Sequence, residues 1–140
     1  MNWTALPFDE DALCAGLKSW IEIESPTWDA TAVNRMMAHA AAECAKAGAA
    51  VTTIPGTSGF GNCVKAHFPH ADQGKPGILV MAHLDTVHPV GTLEVLPFRR
   101  EGEKCFGPGI LDMKGGAYIA FEAVRQLASA QISTPLPVTF

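Results

Sequence analysis

No apolar run in this sequence approaches the roughly 18 residues that a membrane-spanning helix requires. The opening stretch, MNWTALPFDEDAL, has no basic region and turns acidic where an export signal would turn apolar. A cytoplasmic location is therefore expected. Cysteines are few, and Cys14, Cys44, Cys63 and Cys105 form no C-x-x-C pair. That spacing speaks against a structural zinc site, and an unexported chain is not expected to carry a disulfide framework. The cysteines read as small buried or half-buried thiols. Positive charge is also in deficit. Fourteen acids against ten bases give a net charge of −4, the wrong sign for a general nucleic-acid binder. Internal repeats and low-complexity tracts are absent. The 140 residues, 48% apolar and 17% charged, suit one ordered domain with a real core.

Apolar spacing predicts a helix from Asp9, its N-cap, to about Glu24, with Ser25-Pro26 as its stop. A second, alanine-rich helix is expected from about Asp29 to Ala47, with Gly48 ending it. The pattern then turns extended. Ala50 to Ile54 is short and β-branched, and Asn62 to Phe68 alternates. The run GILVMAH, Gly77 to His83, suits a strand covered on both faces. An irregular stretch with a hairpin around Glu101 to Lys104 follows, then a helix from about Gly115 to Ala130 and a final strand in LPVTF. These elements predict an α/β fold, with helices on a mixed, mostly parallel central sheet.

Two clusters could carry chemistry. His83 and Asp85 directly follow the apolar run, where open α/β sheets collect ligands at strand ends. At i and i+2 of an extended chain both side chains face one side. Both could ligate a metal, the carboxylate could orient the imidazole, or the two could form a metal-free hydrogen-bonded pair. The second cluster is GPGILDMKGG, Gly107 to Gly116. A phosphate loop is excluded because Lys114 is followed by Gly115, and no G-x-G-x-x-G is present. What remains is Asp112 in a glycine-bracketed turn before a helix, which on its own reads as an N-cap.

In order and spacing, the apolar strand, H-x-D-T-V, G-P-G-x-x-D-M-K-G-G and the helix resemble one family. It is the zinc metallopeptidase family of glutamate carboxypeptidase, acetylornithine deacetylase and succinyl-diaminopimelate desuccinylase. Pro97-Phe98-Arg99, Glu101 to Lys104 and the G-P-G turn resemble the glutamate carboxypeptidase branch. The resemblance implies that His83 ligates one zinc ion, that Asp85 orients His83, and that Asp112 bridges two zinc ions, with cobalt(II) as a possible substitute. His83 and Asp112 would then lie in one cleft, their side chains within about 4–6 Å of each other, and the Asp112-Met113 bond would be cis. The implied activity is hydrolysis of an amide or peptide bond next to a carboxylate. N-acyl amino acid deacylation and a non-catalytic binding module are the alternatives. The implied substrates are small peptides or N-acyl amino acids, without nucleic acid or membrane, and the full-length protein would be a homodimer.

The resemblance also implies what residues 1–140 do not supply. The family's general base is a glutamate followed immediately by a glutamate ligand, and a further acid and a late histidine complete the site. After Asp112 the only acid is Glu122, within a helix, and no histidine follows His88. His88 is expected to be a loop residue near the site, and His39, His67 and His70 to be surface or structural. The sequence therefore reads as the N-terminal portion of a catalytic domain, without the dimerisation domain or C-terminal catalytic portion, and inactive alone.

Overall fold

The computed structural model describes residue 6 and residues 8–140. Of the stretch read for an export signal, residues 1–5 and 7 lie outside the described residues. Helix α1 spans Glu10–Ile21, capped by Asp9, whose side chain accepts from the Ala12 N–H at 3.0 Å. Helix α2 spans Ala30–Lys46, and Asp29 caps it in the same way through the Ala32 N–H at 2.9 Å. Each aspartate satisfies one of the donors that a first helical turn leaves unpaired. Strands β1 (Ala50–Ile54) and β2 (Cys63–His67) form an antiparallel pair, with Ala50 opposite His67 and Ile54 opposite Cys63. Next come β3 (Ile78–Leu79), the single turn α3 (Thr92–Val95), the hairpin β4 (Arg99–Glu101) and β5 (Lys104–Phe106), helix α4 (Gly115–Ser129) and β6 (Val138–Thr139).

The main sheet runs in the order β1-β2-β6-β3. It is mixed, as expected, but its parallel share is smaller than the expected mostly parallel sheet. Among the described residues β3 pairs β6 in parallel, whereas β2 pairs both β1 and β6 antiparallel. For β1 and β2 the reason is local. A short loop returns β1 directly into β2, and such a loop can only make an antiparallel pair.

Helices α1, α2 and α4 bury their apolar faces in one core. Trp20 stacks on Phe121 with ring centroids 5.6 Å apart and meets Tyr118 edge-on at 5.4 Å. Met36, Ala40 and Cys44 of α2 join them at helical spacing, with Ala66 and Leu84 from the sheet side. The expectation of a strand covered on both faces fails at Gly77 to His83. Ile78, Leu79 and Met81 are exposed, and only Ile78–Leu79 is paired as strand. Among the described residues no helix is long and apolar enough to cross a membrane.

Candidate functional site

The chain beyond β3 is held by the segment that follows α1. Ser25, fully buried, donates its hydroxyl to the Leu84 carbonyl at 2.7 Å. The Thr86 N–H reaches the Ser25 carbonyl at 2.8 Å, and the Thr27 N–H returns to the Thr86 carbonyl at 3.0 Å. This short parallel bridge keeps residues 84–86 extended, so His83 and Asp85 face the same volume. Thr27 adds a side-chain contact, its Oγ1 donating to Asp85 Oδ2 at 2.6 Å.

Asp112 arrives from the other side, in the turn Ile110–Lys114. It does not cap α4, because the residue in that position is Lys114 and the turn's backbone is non-helical at Asp112 and Met113. The Asp112-Met113 peptide is cis. Gly109 has φ +71°, and a Cβ on it would lie 2.4 Å from Thr86 Cγ2. Only glycine lets the two loops approach this closely. Lys114 anchors the turn from beneath. Its side chain is fully buried, and Nζ donates to the carbonyls of Ile23 at 2.6 Å and Trp20 at 3.2 Å, next to the C-terminus of α1. Burial pulls this ammonium down to a pKa of about 8, against the pull of Asp85 and Glu24. Glu24 in turn accepts from the N–H groups of Gly91 at 2.8 Å and Leu93 at 2.9 Å, fixing the loop beyond His88. The Gly91 N–H above all holds that carboxyl below its usual range.

The two loops bring His83, Asp85 and Asp112 into one open pocket of about 230 Å³ that Thr27, Thr86 and His88 also line. His83 Nε2 lies 2.9 Å from Asp112 Oδ1. Its Nδ1 lies 3.1 Å from the Asp85 backbone carbonyl and 3.4 Å from Asp85 Oδ1. The His83–Asp112 contact, at 2.9 Å, lies inside the expected limit of about 4–6 Å, with the imidazole meeting the carboxylate directly. Both ring nitrogens face acceptors, an arrangement that the imidazolium satisfies fully. Burial opposes the charge, but the hydrogen bonds to Asp112 and Asp85 and the charges of both carboxylates outweigh it and raise the His83 pKa. The same two donors, an imidazole nitrogen and a carboxylate oxygen, are ordinary zinc ligands.

A larger cavity, about 560 Å³, lies between α2 and α4. Its charged groups are already matched, Lys46 with Glu43 and Arg125 with Glu122, and no histidine lines it. The other histidines have partners outside the pocket: His39 with Ser19, His67 with Thr139, and His70 with the Thr134 carbonyl. Glu122 is buried against Arg125 and Gln126.

Residues 79–140 match the family model described as peptidase family M20/M25/M40. That stretch carries His83, Asp85, Asp112 and the turn between the last glycines. Residues 79–140 belong to that peptidase family. Carboxypeptidase G2 of Pseudomonas sp. (strain RS-16) is 32% identical over 121 residues, covering 85% of this chain and 28% of the relative. Three solved structures share the fold. Human carnosine dipeptidase 1 superposes with a TM-score of 0.77 at 24% identity, over 93% of this chain and 31% of its own. Aminopeptidase PepT from Bacillus cereus ATCC 10987 gives 0.72 at 19%, over 94% of this chain and 35% of its own. A hydantoinase/carbamoylase family amidase from Burkholderia ambifaria gives 0.61 at 21%, over 96% and 29%. The chain thus spans about a third or less of each of these four proteins. Among the described residues no three His, Cys, Asp or Glu side chains are grouped to hold a metal ion. His83 and Asp112 make two donors, and Asp85 stands behind the first.

Sequence reasoning missed Ser25, Thr27 and Lys114. Ser25-Pro26 was legible only as a helix stop, and nothing in its local pattern points to a strand segment about 60 residues away. Lys114 suggests only a phosphate-loop lysine in the sequence, whereas in the fold it is a buried strut.

Proposed function

We propose that this chain supplies one side of the active site of a zinc-dependent hydrolase that cleaves an amide or peptide bond next to a carboxylate. The observation that carries the reading is the meeting of His83 Nε2 and Asp112 Oδ1 at 2.9 Å, with the other imidazole nitrogen held by Asp85. His83 and Asp112 would hold the metal, and Asp112 has a second oxygen free to reach a second ion. When bound, the metal supplies Lewis-acid polarisation of the scissile carbonyl and a water acidic enough to ionise near neutral pH.

The chain's own residues do the rest of the positioning. Asp85 fixes the Nδ1–H tautomer of His83 and so presents Nε2 to the pocket. Thr27 holds the Asp85 carboxylate in place. Lys114 and Gly109 fix the turn that presents Asp112. To hold a metal, His83 would have to present Nε2 without its proton, so affinity would fall as the pH drops and His83 becomes protonated.

Among the described residues none is placed to act as general base. Glu122 is committed to Arg125 and Gln126. The base and remaining metal ligands are proposed to come from polypeptide outside residues 1–140, and the full-length protein is proposed to be a homodimer. The likeness to carboxypeptidase G2 supports N-acyl-glutamate and related N-acyl amino acids as first substrates to try.

The test compares the 140-residue chain with a longer polypeptide that carries it, on N-acyl-glutamate with and without a chelator. Loss of general-base assistance alone is worth about 10²–10⁴-fold. The longer chain is expected to show zinc-dependent turnover, nearly abolished by His83→Ala or Asp112→Ala, and the short chain none. Turnover by the longer chain that survives complete metal removal would defeat the reading. Robust turnover by the short chain would show that the base lies within it.

A further inference from the structure

We propose that Cys14 and Cys105 form a reversible disulfide that locks the β4–β5 hairpin onto α1. Their sulfurs lie 3.8 Å apart although the residues are 91 positions apart in sequence. Cys14 sits in α1 and Cys105 in the middle of β5. Both are half-buried and neither is bridged, so each is accessible to a small oxidant yet sheltered from other chains. A disulfide requires about 2.05 Å between sulfurs, so the pair must close by about 1.8 Å.

The surroundings hold the pair in register. Arg100, opposite Cys105 in the hairpin, grips Asp11 at 2.9 Å and also Glu10, both in the first turn of α1. Beyond β5, Gly107 packs so closely on α1 that a Cβ there would lie 2.7 Å from Ile21 Cγ2. The hairpin is thus latched to the helix on both sides of the sulfurs, which keeps them in contact. Cys44 and Cys63 have no such contact: the first is buried in the core and the second is exposed on β2.

The oxidant is a low-molecular-weight disulfide such as glutathione disulfide. One protein thiolate attacks it, forming a mixed disulfide and releasing one glutathione. The second protein thiolate then displaces the other glutathione, closing the Cys14–Cys105 bond. Two protein thiols and one small disulfide become one protein disulfide and two small thiols. The protein sulfurs lose two electrons, and both protons leave on the released glutathione. Excess reduced glutathione reverses both steps. Burial and the neighbouring Cys14 hold the Cys105 thiol above its ordinary range, so closure quickens as the solution becomes more alkaline.

The consequence reaches the site. The strand that carries Cys105 runs through Gly107–Pro108–Gly109 into the turn of Asp112. Oxidation therefore fixes the approach to that turn against α1, the helix whose end Lys114 already holds.

The experiment equilibrates the folded protein in glutathione redox buffers, quenches it with acid, alkylates it and maps the peptides by mass spectrometry. Expected are a Cys14–Cys105 linked peptide as the main oxidised species and a fall in free thiols from four to two per chain. A rise of about 5–10 °C in thermal midpoint should accompany it, as befits a cross-link closing a loop of about 90 residues. Cys63→Ser should leave the linkage intact, and Cys14→Ser should halt Cys105 at the glutathione adduct. Glutathionylation or intermolecular bonding at Cys63 without the linked peptide would overturn the proposal. So would a linkage that appears only in denaturant. The wild-type map decides the matter even if a variant fails to fold.

Discussion

Thr27 is the residue through which the account can be pressed hardest, because it touches neither metal donor. Thr27→Val keeps the side-chain shape and removes only the hydroxyl. The lost contact is the 2.6 Å hydrogen bond to Asp85 Oδ2. A hydrogen bond to a charged group is worth about 1.5–3 kcal/mol. The Asp85 side chain is 29% exposed, so water replaces part of that, leaving a cost of about 1–2 kcal/mol. For a chain of this length the thermal midpoint should fall by about 4–8 °C. Freed of Thr27, the Asp85 carboxylate, whose other oxygen lies 3.4 Å from His83 Nδ1, orients the imidazole less firmly, and zinc affinity should drop by about tenfold. Thermal denaturation followed by circular dichroism and a zinc titration against a chromophoric chelator read the two effects separately. Thr27→Ser, which restores the hydroxyl, should recover most of both. Equal behaviour of the valine and serine variants, or an unchanged zinc affinity in Thr27→Val, would refute the claim that Asp85 orients His83 through this contact.

Two further predictions concern buried charge. Lys114 has a folded pKa of about 8 against an ordinary 10.5. Between those values the unfolded chain binds the proton that the folded chain has released, so stability rises with pH by about 3 kcal/mol. Urea unfolding from pH 8 to 10.5 should show that rise in the wild type and lack it in Lys114→Met; equal slopes would contradict the burial of the ammonium. Burial alone would raise the Glu122 carboxyl, but Arg125 and Gln126 outweigh it and bring the pKa below the ordinary value. The stability it contributes is thus present above about pH 4.5 and lost as the pH falls through the folded value. Glu122→Gln should cost about 1–2 kcal/mol at neutral pH and flatten the acid limb of the stability profile, and an unchanged acid limb would argue against the pair.

Much of the frame was legible from residue chemistry alone. Asp9 and Asp29 marked their helix starts because a side-chain acceptor beside unpaired amides is a local signal. Ala50 to Ile54 was legible as a strand because β-branched residues between turns leave few other readings. Strand direction was not legible. It depends on which strands become neighbours, and the two-residue β6 enters between β2 and β3 through contacts that no local pattern encodes. The exposure of Ile78, Leu79 and Met81 is not legible either, since an apolar run states what a segment tolerates and not what lies against it. At the site, His83, Asp85 and Asp112 stood out by residue type and motif order. Ser25, Thr27 and Lys114 did not, because hydroxyls and a lysine that satisfy distant carbonyls or a distant carboxylate leave no periodic trace.

The central claim is that His83 and Asp112 converge to hold a metal ion. The most direct measurement is a crystal structure of the zinc-loaded protein with anomalous data collected on both sides of the zinc edge. The account predicts an anomalous peak about 2.0–2.2 Å from both His83 Nε2 and an Asp112 carboxylate oxygen, with Nδ1 still facing Asp85. Zinc bound elsewhere, with His83 still hydrogen-bonded directly to Asp112, would contradict it.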